Sequence, residues 1–361
     1  QKWFVALQNG GESRGTGGLL GSFAVVDLDK GRAEPVQVGA NELLTAKADP
    51  RLLPADSQAL WGPARLAEVF GVNLSPNYPY AGELISSMWR NQTGSTPNAV
   101  LALDQRATAL LIDAVGGVTV DGITLTGADA TEFLTVGVYD KYPNSADKDA
   151  FVTKATAQLV RKIAGGGTST IQLASKLANA VLERSVFLWA ADASIQSSLA
   201  PSPIGGTVPD QPGPFSMAVI NNNAANKMDT FLHTSINLQV GECVAGGRRS
   251  TMTVELLNSP PAKLPSYVDQ RRDRRDLFGL NSAGDGSNRV RLALYLPSGA
   301  FLSSSAPKEL YLGEERNHPV AMFGIELKRG ERKTVRVEFT EFGDPTLLNQ
   351  SPEVLEQQML N

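Results

Sequence analysis

The chain has 361 residues, a net charge of −4 and 42% hydrophobic residues, the composition of a globular protein longer than one ordinary domain. It holds no long basic block, so we do not expect nucleic acid as its main partner. It has one cysteine, and its two histidines, His233 and His318, lie far apart in sequence. These counts argue against a disulfide framework, a zinc centre and a histidine-based catalytic triad.

The N-terminal end of the chain is unusual because it carries no initiator Met and opens directly in an apolar, β-like run at residues 3–7. We therefore expect an upstream segment, such as a signal or anchor helix, in the full protein. The chain itself contains no run of about 18 apolar residues, the length that a membrane-spanning helix needs.

Three strands are predicted first, at residues 3–7, 22–28 and 33–38, with the glycine-rich stretch 8–21 between the first two. Glycine accepts positive φ, successive free N–H groups form an anion-binding concavity, and arginine suits bidentate contact with phosphate. The stretch therefore predicts an oxyanion pocket that uses Glu12 and Arg14. The same residues also fit a glycine-rich hairpin with an internal Glu12–Arg14 pair. Neither a P-loop nor a dinucleotide fingerprint is present, because no Gly-Lys-Ser/Thr and no helix follow.

Strands and helices then alternate, which predicts an α/β (α+β) unit with helices on a central sheet. The predicted strands are 99–103, 118–120 and 123–125. The predicted helices are 64–70, 80–91, 105–115, 126–136, 148–164 and 169–189.

A Pro- and Gly-rich stretch at 201–214 is the clearest predicted boundary between domains. Short strands separated by turn residues follow it, which predicts a C-terminal antiparallel β-sandwich. The predicted organisation is an α/β domain at 1–200, a linker at 201–214, a β-sandwich at 215–345 and a tail at 346–361. The run RRDRRD (271–276) has balanced charge and is interpreted as a solvated loop.

Several segments, in order over nearly the whole chain, resemble the DUF4012 family of actinobacterial and other bacterial envelope proteins. They include LQNGGESRGTGG (7–18), NYPYAGELISSMWRNQTG (77–94), VLALDQRATALLIDAVGGVTVDG (100–122) and VGVYDKY (136–142). The first segment keeps these residues of the family pattern: Gln8, Asn9, Glu12, Arg14, Thr16, Gly17 and Gly18. Gly10 and Gly11 replace its usual Asn and Ala.

That family in turn resembles the LytR-CpsA-Psr (LCP) phosphotransferases, chiefly through segment 100–122. LCP enzymes transfer a glycan phosphate from a polyprenyl-pyrophosphate carrier to peptidoglycan, outside the membrane. The resemblance implies an LCP-like central mixed sheet, an extracytoplasmic location in the cell envelope and a single membrane anchor. It also implies Mg²⁺ as a cofactor if transfer is retained, and a cell-wall glycan or polyprenyl-linked sugar phosphate as partner.

The charged positions depart from the LCP pattern. Residues 17–22 carry no charge, no arginine lies at 54–56, and Tyr139 is followed by Asp140 and Lys141 where LCP enzymes have arginines. Each lost charge-assisted contact to a pyrophosphate is worth roughly 1.5–3 kcal/mol. We therefore expect binding of an anionic glycan or lipid-linked sugar phosphate, with lost or altered catalysis.

Two catalytic alternatives stay open. One is an LCP-like phosphotransferase or pyrophosphatase that uses Arg14, Asp104 and Arg106, with Arg90 or Arg161. The other is a glycan hydrolase with Glu12 and Asp104 as its carboxylate pair.

The candidate ligand-binding residues come from the glycine-rich stretch, the loop before helix 80–91, the end of strand 99–103 and the loop near 139; no metal ligand is predicted. They are Asn9, Glu12, Arg14, Gly17, Gly18, Asn77, Tyr80, Asp104, Arg106 and Tyr139. Three of them also have purely structural interpretations. Asp104 fits a helix N-cap, Tyr80 fits packing at the start of a helix, and Tyr139 fits a buried edge residue.

Overall fold

The chain folds into two compact units in the computed structural model. The structure describes residues 1–30, 32–165, 170–210, 213, 215–244, 247–273, 284–343, 348, 353–357 and 359. The first unit comprises Gln1–Gly11, Thr16–Leu52 and Pro63–Thr207, and the second comprises Glu12–Gly15, Leu53–Gly62 and Val208–Asn361. The two units thus divide at residue 207, within the stretch expected as a linker, of which 211, 212 and 214 lie outside the described residues. Segments 12–15 and 53–62, which we expected in the first domain, belong to the second unit.

The first unit is built on a five-stranded mixed sheet. Its strands are β1 (Lys2–Arg14), β2 (Gly17–Asp29), β3 (Arg32–Ala40), β4 (Ala99–Leu103) and β7 (Val186–Ala190); β5 (Val118–Val120) and β6 (Ile123–Leu125) form a separate hairpin. The strand order is β3-β2-β1-β4-β7. β1 and β4 run parallel with Leu7 opposite Leu103, whereas β7 is antiparallel to β4. Residues that follow Leu7 and Leu103 therefore leave the parallel pair at the same edge.

Helices flank this sheet, as the alternating pattern predicts. They are α2 (Pro63–Leu66), α3 (Tyr78–Thr93), α4 (Gln105–Ala114), α5 (Ala130–Glu132), α6 (Val138–Lys141), α7 (Ser145–Ala164), α8 (Thr170–Leu182) and α9 (Ala193–Leu199), with α1 (Ala55–Trp61) and α10 (Ser266–Asp269) in the second unit. The apolar face of α3 packs on the sheet through Trp89, whose ring lies 5.7 Å from that of Phe4 and 5.8 Å from that of Phe23. These rings form the centre of the first core because aromatic side chains bury large apolar areas.

The glycine-rich stretch is strand, where we expected a turn or pocket. β1 continues to Arg14 and β2 begins at Gly17, which leaves only residues 15 and 16 to turn the chain. Gly18 permits this, because a Cβ placed there would lie 2.2 Å from the carbonyl carbon of Asn9. Glycine here serves the close approach of two strands.

The helix expected at 169–189 was wrong over its last seven residues, 183–189; residue 169 itself lies outside the described residues. α8 ends at Leu182, Arg184 adopts a positive φ of 57°, and residues 186–190 form a strand paired with β4. The segment VFLWA combines a β-branched residue with two aromatic residues, and pairing in the centre of a core outweighs a weak helical period.

Two sheets form the second unit and enclose one apolar core. The strands are β8 (Phe215–Asn222), β9 (Leu232–Val244), β10 (Gly247–Asn258), β11 (Asn288–Tyr295), β12 (Phe301–Ala306), β13 (Tyr311–Glu315), β14 (His318–Leu327), β15 (Arg332–Phe342) and β16 (Glu353–Glu356). The sheet orders are β12-β15-β10-β9 and β13-β14-β11-β8-β16. Leu232, Val254 and Leu292 lie fully buried between them. The structure shows the expected C-terminal antiparallel sheets, except that β16, in the expected tail, pairs parallel with β8.

We expect Gly18→Ala to lower the free energy of unfolding of the first unit by about 3 kcal/mol, because the added methyl meets rigid backbone of β1. Gly21→Ala is the control, since a Cβ at Gly21, in the same strand, makes only ordinary contacts at 3.6 Å or more. Denaturant unfolding followed by circular dichroism measures both. Equal stability of the two variants would contradict the close approach of β1 and β2.

Candidate functional site

The carboxyl edge of the parallel pair β1–β4 gathers several of the predicted site residues. The Gly10 N–H donates to Oε1 of Gln105 at 2.6 Å, which joins the end of one strand to the start of α4. Asn9 Nδ2 donates to the Tyr139 hydroxyl at 3.2 Å. A Cβ at Gly17 would lie 3.7 Å from that of Asp104. Because ligands of open α/β sheets bind outside the carboxyl ends of the strands, this edge is the first place to look for a site.

Tyr139 lies in this edge as a buried side chain, 6% exposed. Its ring also carries the ammonium of Lys148, from α7, at 5.5 Å from the ring centroid. Lys148 is itself paired with Asp149, at 2.7 Å between Nζ and Oδ1. The cation over the ring and the Asn9 amide on the hydroxyl hold Tyr139 in place. The geometry thus agrees with the interpretation of Tyr139 as a buried residue.

Asp104 is the N-cap of α4. Its Oδ1 accepts a hydrogen bond from the Ala107 N–H at 2.8 Å, which satisfies a donor of the first turn. Burial raises the pKa of this carboxyl, and the hydrogen bond from Ala107 opposes the rise. Asp104 therefore caps the N-terminus of α4, which was its structural interpretation from the sequence.

The start of α3 holds Asn77 and Tyr80. Asn77 is fully buried, its N–H donates to Ser75 Oγ at 3.1 Å, and its carbonyl accepts from the Tyr80 N–H at 3.0 Å. The neighbouring Tyr78 hydroxyl donates to the Val100 carbonyl of β4 at 3.0 Å. These bonds place the beginning of α3 along β4.

Three residues near the turn were missing from our candidate set. Gln8 Nε2 donates to Thr16 Oγ1 at 3.0 Å, and Asn73 Nδ2 donates to the same oxygen at 3.2 Å and to the Gly18 carbonyl at 2.8 Å. All three side chains are buried and connect the β1–β2 turn to the loop before α3. The signal for Gln8 and Thr16 was their presence in the family pattern, whereas nothing in the sequence distinguished Asn73.

Arg106 lies on a different surface, an open groove of about 360 Å³. The groove runs along one side of α4 and is lined by Arg106, Ala109, Leu110, Asp113, Gly127, Thr131 and Glu183. Lys176 of α8 pairs with Asp113, at 2.8 Å between Nζ and Oδ2. The lining therefore combines a guanidinium, two carboxylates, a hydroxyl and an apolar floor. Its volume falls in the range of small-molecule sites, roughly 300–1,000 Å³.

Glu12 and Arg14 belong to the second unit, where they form a buried charge cluster with Lys227. Arg14 Nη2 lies 2.9 Å from Glu12 Oε1, and Lys227 Nζ lies 2.6 Å from Glu12 Oε2. Burial alone would raise the pKa of Glu12, but the charges of Lys227 and Arg14 outweigh it and lower the pKa to about 2. These contacts do not form the open anion pocket that we expected at Arg14. They form the internal Glu12–Arg14 pair of the hairpin interpretation.

Asp229 holds the backbone of the same segment, residues 12–14, in place. Its Oδ2 accepts from the Ser13 N–H at 2.9 Å, and its Oδ1 accepts from Asn288 Nδ2 at 2.6 Å. Gln357 Nε2 donates to the Arg14 carbonyl at 2.6 Å. Complete burial raises the pKa of Asp229 to about 6, and the bonds from Asn288 and Ser13 oppose the rise. Residues 12–14 thus act as a structural strand of the second unit.

Two properties bear on metals and membranes. Within the described ranges, no group of three or more His, Cys, Asp or Glu side chains is arranged to hold a metal ion. Among the helices that the structure describes, none has the length and apolar character needed to cross a membrane.

Residues 1–139 match the sequence model of a family described as "Protein of unknown function (DUF4012)". The matched region includes the edge residues Asn9, Asp104 and Tyr139. No curated protein matches the chain.

Solved structures that align with part of this chain come from bacteria. A protein described as a transcriptional regulator from Enterococcus faecalis is 12% identical, with a TM-score of 0.32 over 57% of this chain and 72% of that chain. A protein from Streptococcus agalactiae is 13% identical, with a TM-score of 0.33 over 57% of this chain and 74% of its own. A Listeria innocua protein is 13% identical, with a TM-score of 0.31 over 62% and 86%.

We expect Glu12→Gln to lower the free energy of unfolding of the second unit by about 3 kcal/mol at pH 7, because it leaves Arg14 and Lys227 buried beside a neutral group. The pKa of Glu12 is lower in the folded protein than in the unfolded chain, so its contribution is present above pH 4.5 and is lost between about pH 4.5 and 2. Denaturant unfolding at several pH values measures this, with exposed Glu314→Gln as the control. A Glu12→Gln protein as stable as that control would refute the buried cluster.

We also expect Asp229→Asn to change the pH dependence of stability. The contribution of Asp229 has the opposite sign to that of Glu12. Because the folded protein raises the pKa of Asp229 from 3.8 to about 6, the unfolded chain ionises first and wild-type stability falls as the pH rises through this window. The fall is about 2–3 kcal/mol. The variant lacks the titrating group, so its stability profile between pH 4 and 6 should lack this component. An unchanged profile would show that Asp229 does not titrate in this range.

Proposed function

We propose that this protein is an extracytoplasmic cell-envelope protein whose LCP-like unit binds a cell-wall glycan or a polyprenyl-linked sugar phosphate without transferring it. The observation that carries the proposal is the groove at Arg106, which joins a guanidinium to carboxylates, a hydroxyl and an apolar floor. The resemblance to DUF4012 and LCP proteins supports the envelope location and the membrane anchor. Nucleic acid is not part of the proposal.

The groove chemistry suits a sugar. Asp113 and Glu183 accept hydrogen bonds from sugar hydroxyls, Thr131 both donates and accepts, and Ala109 and Leu110 contact the apolar face of a ring. Arg106 donates to one phosphate or carboxylate group on that sugar. A volume of about 360 Å³ accommodates one or two sugar residues.

The charged groups of the groove argue against a transfer reaction that releases pyrophosphate. Stabilising a leaving pyrophosphate needs several convergent cations, whereas one guanidinium, that of Arg106, lines the groove and the nearby ammonium of Lys176 is paired with Asp113. Arg14, the arginine kept in the family segment, is buried against Glu12 in the second unit. Asp104 is engaged in capping α4. These contacts favour binding over the alternative, an LCP-like phosphotransferase or pyrophosphatase.

The Mg²⁺ that LCP chemistry would use does not fit the described residues. Asp113 is already paired with Lys176, and no arrangement of three or more candidate ligand side chains occurs within the described ranges. We therefore derive no metal-dependent step.

We expect Arg106→Gln to weaken the binding of N-acetylglucosamine 1-phosphate at least about tenfold, because a charge-assisted bond to the phosphate is lost. Isothermal titration calorimetry measures the affinity. Arg65→Gln is the matched control, since Arg65 is exposed on α2 in the same unit. Equal loss in both variants would mean that phosphate binding reflects general surface charge.

An assay for phosphate release by the wild-type protein distinguishes binding from catalysis. With geranylgeranyl pyrophosphate and Mg²⁺ we expect no release of phosphate. Release that depends on Arg106 would overturn the proposal in favour of the phosphotransferase. Absence of both sugar-phosphate binding and phosphate release would reject both functions.

A further inference from the structure

The turn between β13 and β14, residues 315–318, carries an unusual group of buried polar side chains in the second unit. Glu315 and His318 are paired directly across the two strands, and neither is exposed to solvent. Arg316 and Asn317 adopt positive φ values of 52° and 64°, which makes a tight two-residue hairpin. Burying an acid and an imidazole side by side is costly unless each finds partners.

Both ring nitrogens of His318 face carbonyl oxygens. Nδ1 lies 2.8 Å from the Leu296 oxygen, and Nε2 lies 2.8 Å from the Pro209 oxygen. A carbonyl oxygen only accepts hydrogen bonds, whereas a neutral imidazole has a single N–H. Only the imidazolium, with a proton on each nitrogen, satisfies both contacts. A neutral ring would leave one nitrogen lone pair against a carbonyl lone pair in a dry interior.

Glu315 supplies the opposite charge. Its Oε1 accepts from Trp61 Nε1 at 3.0 Å and its Oε2 accepts from the Tyr295 hydroxyl at 2.5 Å. Both are neutral donors that stabilise a carboxylate without cancelling its charge.

The other groups around the ring are accounted for as well. Arg316 pairs with Asp210, at 3.0 Å between Nη2 and Oδ2, and its N–H donates to Asp56 Oδ2 at 2.9 Å. From β8, Phe215 packs its ring 4.9 Å from the imidazole. Arg316 and Asp210 thus form an ion pair beside the ring.

The side chains of residues 316–318 contact the backbone carbonyl oxygens of residues 208–210. Arg316 Nε donates to the Val208 oxygen at 2.6 Å, His318 Nε2 contacts that of Pro209, and Asn317 Nδ2 donates to that of Asp210 at 3.2 Å. Segment 208–210 is where the chain joins the second unit after residue 207.

We propose that the 315–318 turn is a proton-dependent clasp on residues 208–210, closed by the imidazolium of His318 and loosened when that ring loses a proton. The central bond of the three is the one that depends on the proton. Without it, the neutral ring can donate to Leu296 or to Pro209 but not to both. The clasp is therefore strongest at low pH and weakens as the pH rises.

Nuclear magnetic resonance of the wild-type protein with ¹⁵N-labelled histidine rings tests the protonation state directly. The sequence contains only two histidines, and exposed His233 is the internal control. At pH 7.5 we expect two ring N–H proton signals from His318. A neutral His318 at pH 7.5 would overturn the proposal.

Stability measurements test the consequence. We expect the melting temperature of the wild type to exceed that of His318→Gln most at pH 5.5, and the difference to shrink as the pH rises through the loss of the second ring proton. His233→Gln should show no such pH-dependent difference. A difference that stays constant while the ring loses its proton would show that His318 acts only by packing. If His318→Gln does not fold, the wild-type ring protons still decide the proposal.

Discussion

The parallel pairing of β1 with β4 is the constraint on which the first unit depends. With Leu7 opposite Leu103, the chain leaves both strands at one edge, and Asn9 meets Tyr139 there while Asp104 starts α4. Gly18 then lets β2 lie close against β1, so that the hairpin continues as strand to its tip. The residues of this edge mostly hold one another. A groove open to solvent lies along the side of α4, at Arg106.

Buried charge organises the second unit. Glu12 lies between Arg14 and Lys227, Arg248 pairs with Glu341 at 2.9 Å, and His318 faces Glu315 across a hairpin. Glu12 and Glu341 each lie beside an opposite charge, because an unpaired charge in a dry interior costs several kcal/mol. Such clusters tolerate few alternative arrangements, which favours a single register for the strands that carry them.

The balance of charges at Arg14 and in the groove at Arg106 favours binding over transfer. A pyrophosphate site collects cations around a site left open for the ligand, yet Arg14 is buried beside a carboxylate and the groove at Arg106 contains more carboxylates than guanidinium groups. A sugar with one anionic group suits that surface better than a pyrophosphate does. Binding and transfer can both occur on one fold, because function resides in the side chains placed on a fold.

Local patterns in the sequence were sufficient for much of the fold. The amphipathic period of α3 and α4, the Asp104 cap and the short strands after residue 214 follow from rules that act within a few residues. They predicted the α/β unit, the C-terminal antiparallel sheets and the Glu12–Arg14 pair as one of two interpretations. Tertiary structure alone decided that residues 12–15 join the second unit, that 186–190 form a strand, and that Lys227 and Asp229 meet the tip of β1. These outcomes depend on contacts between residues that are distant in sequence, as with the 215 positions that separate Glu12 from Lys227. No spacing rule connects such residues, because long-range pairing is set by which buried surfaces and charges complement each other once the chain is compact.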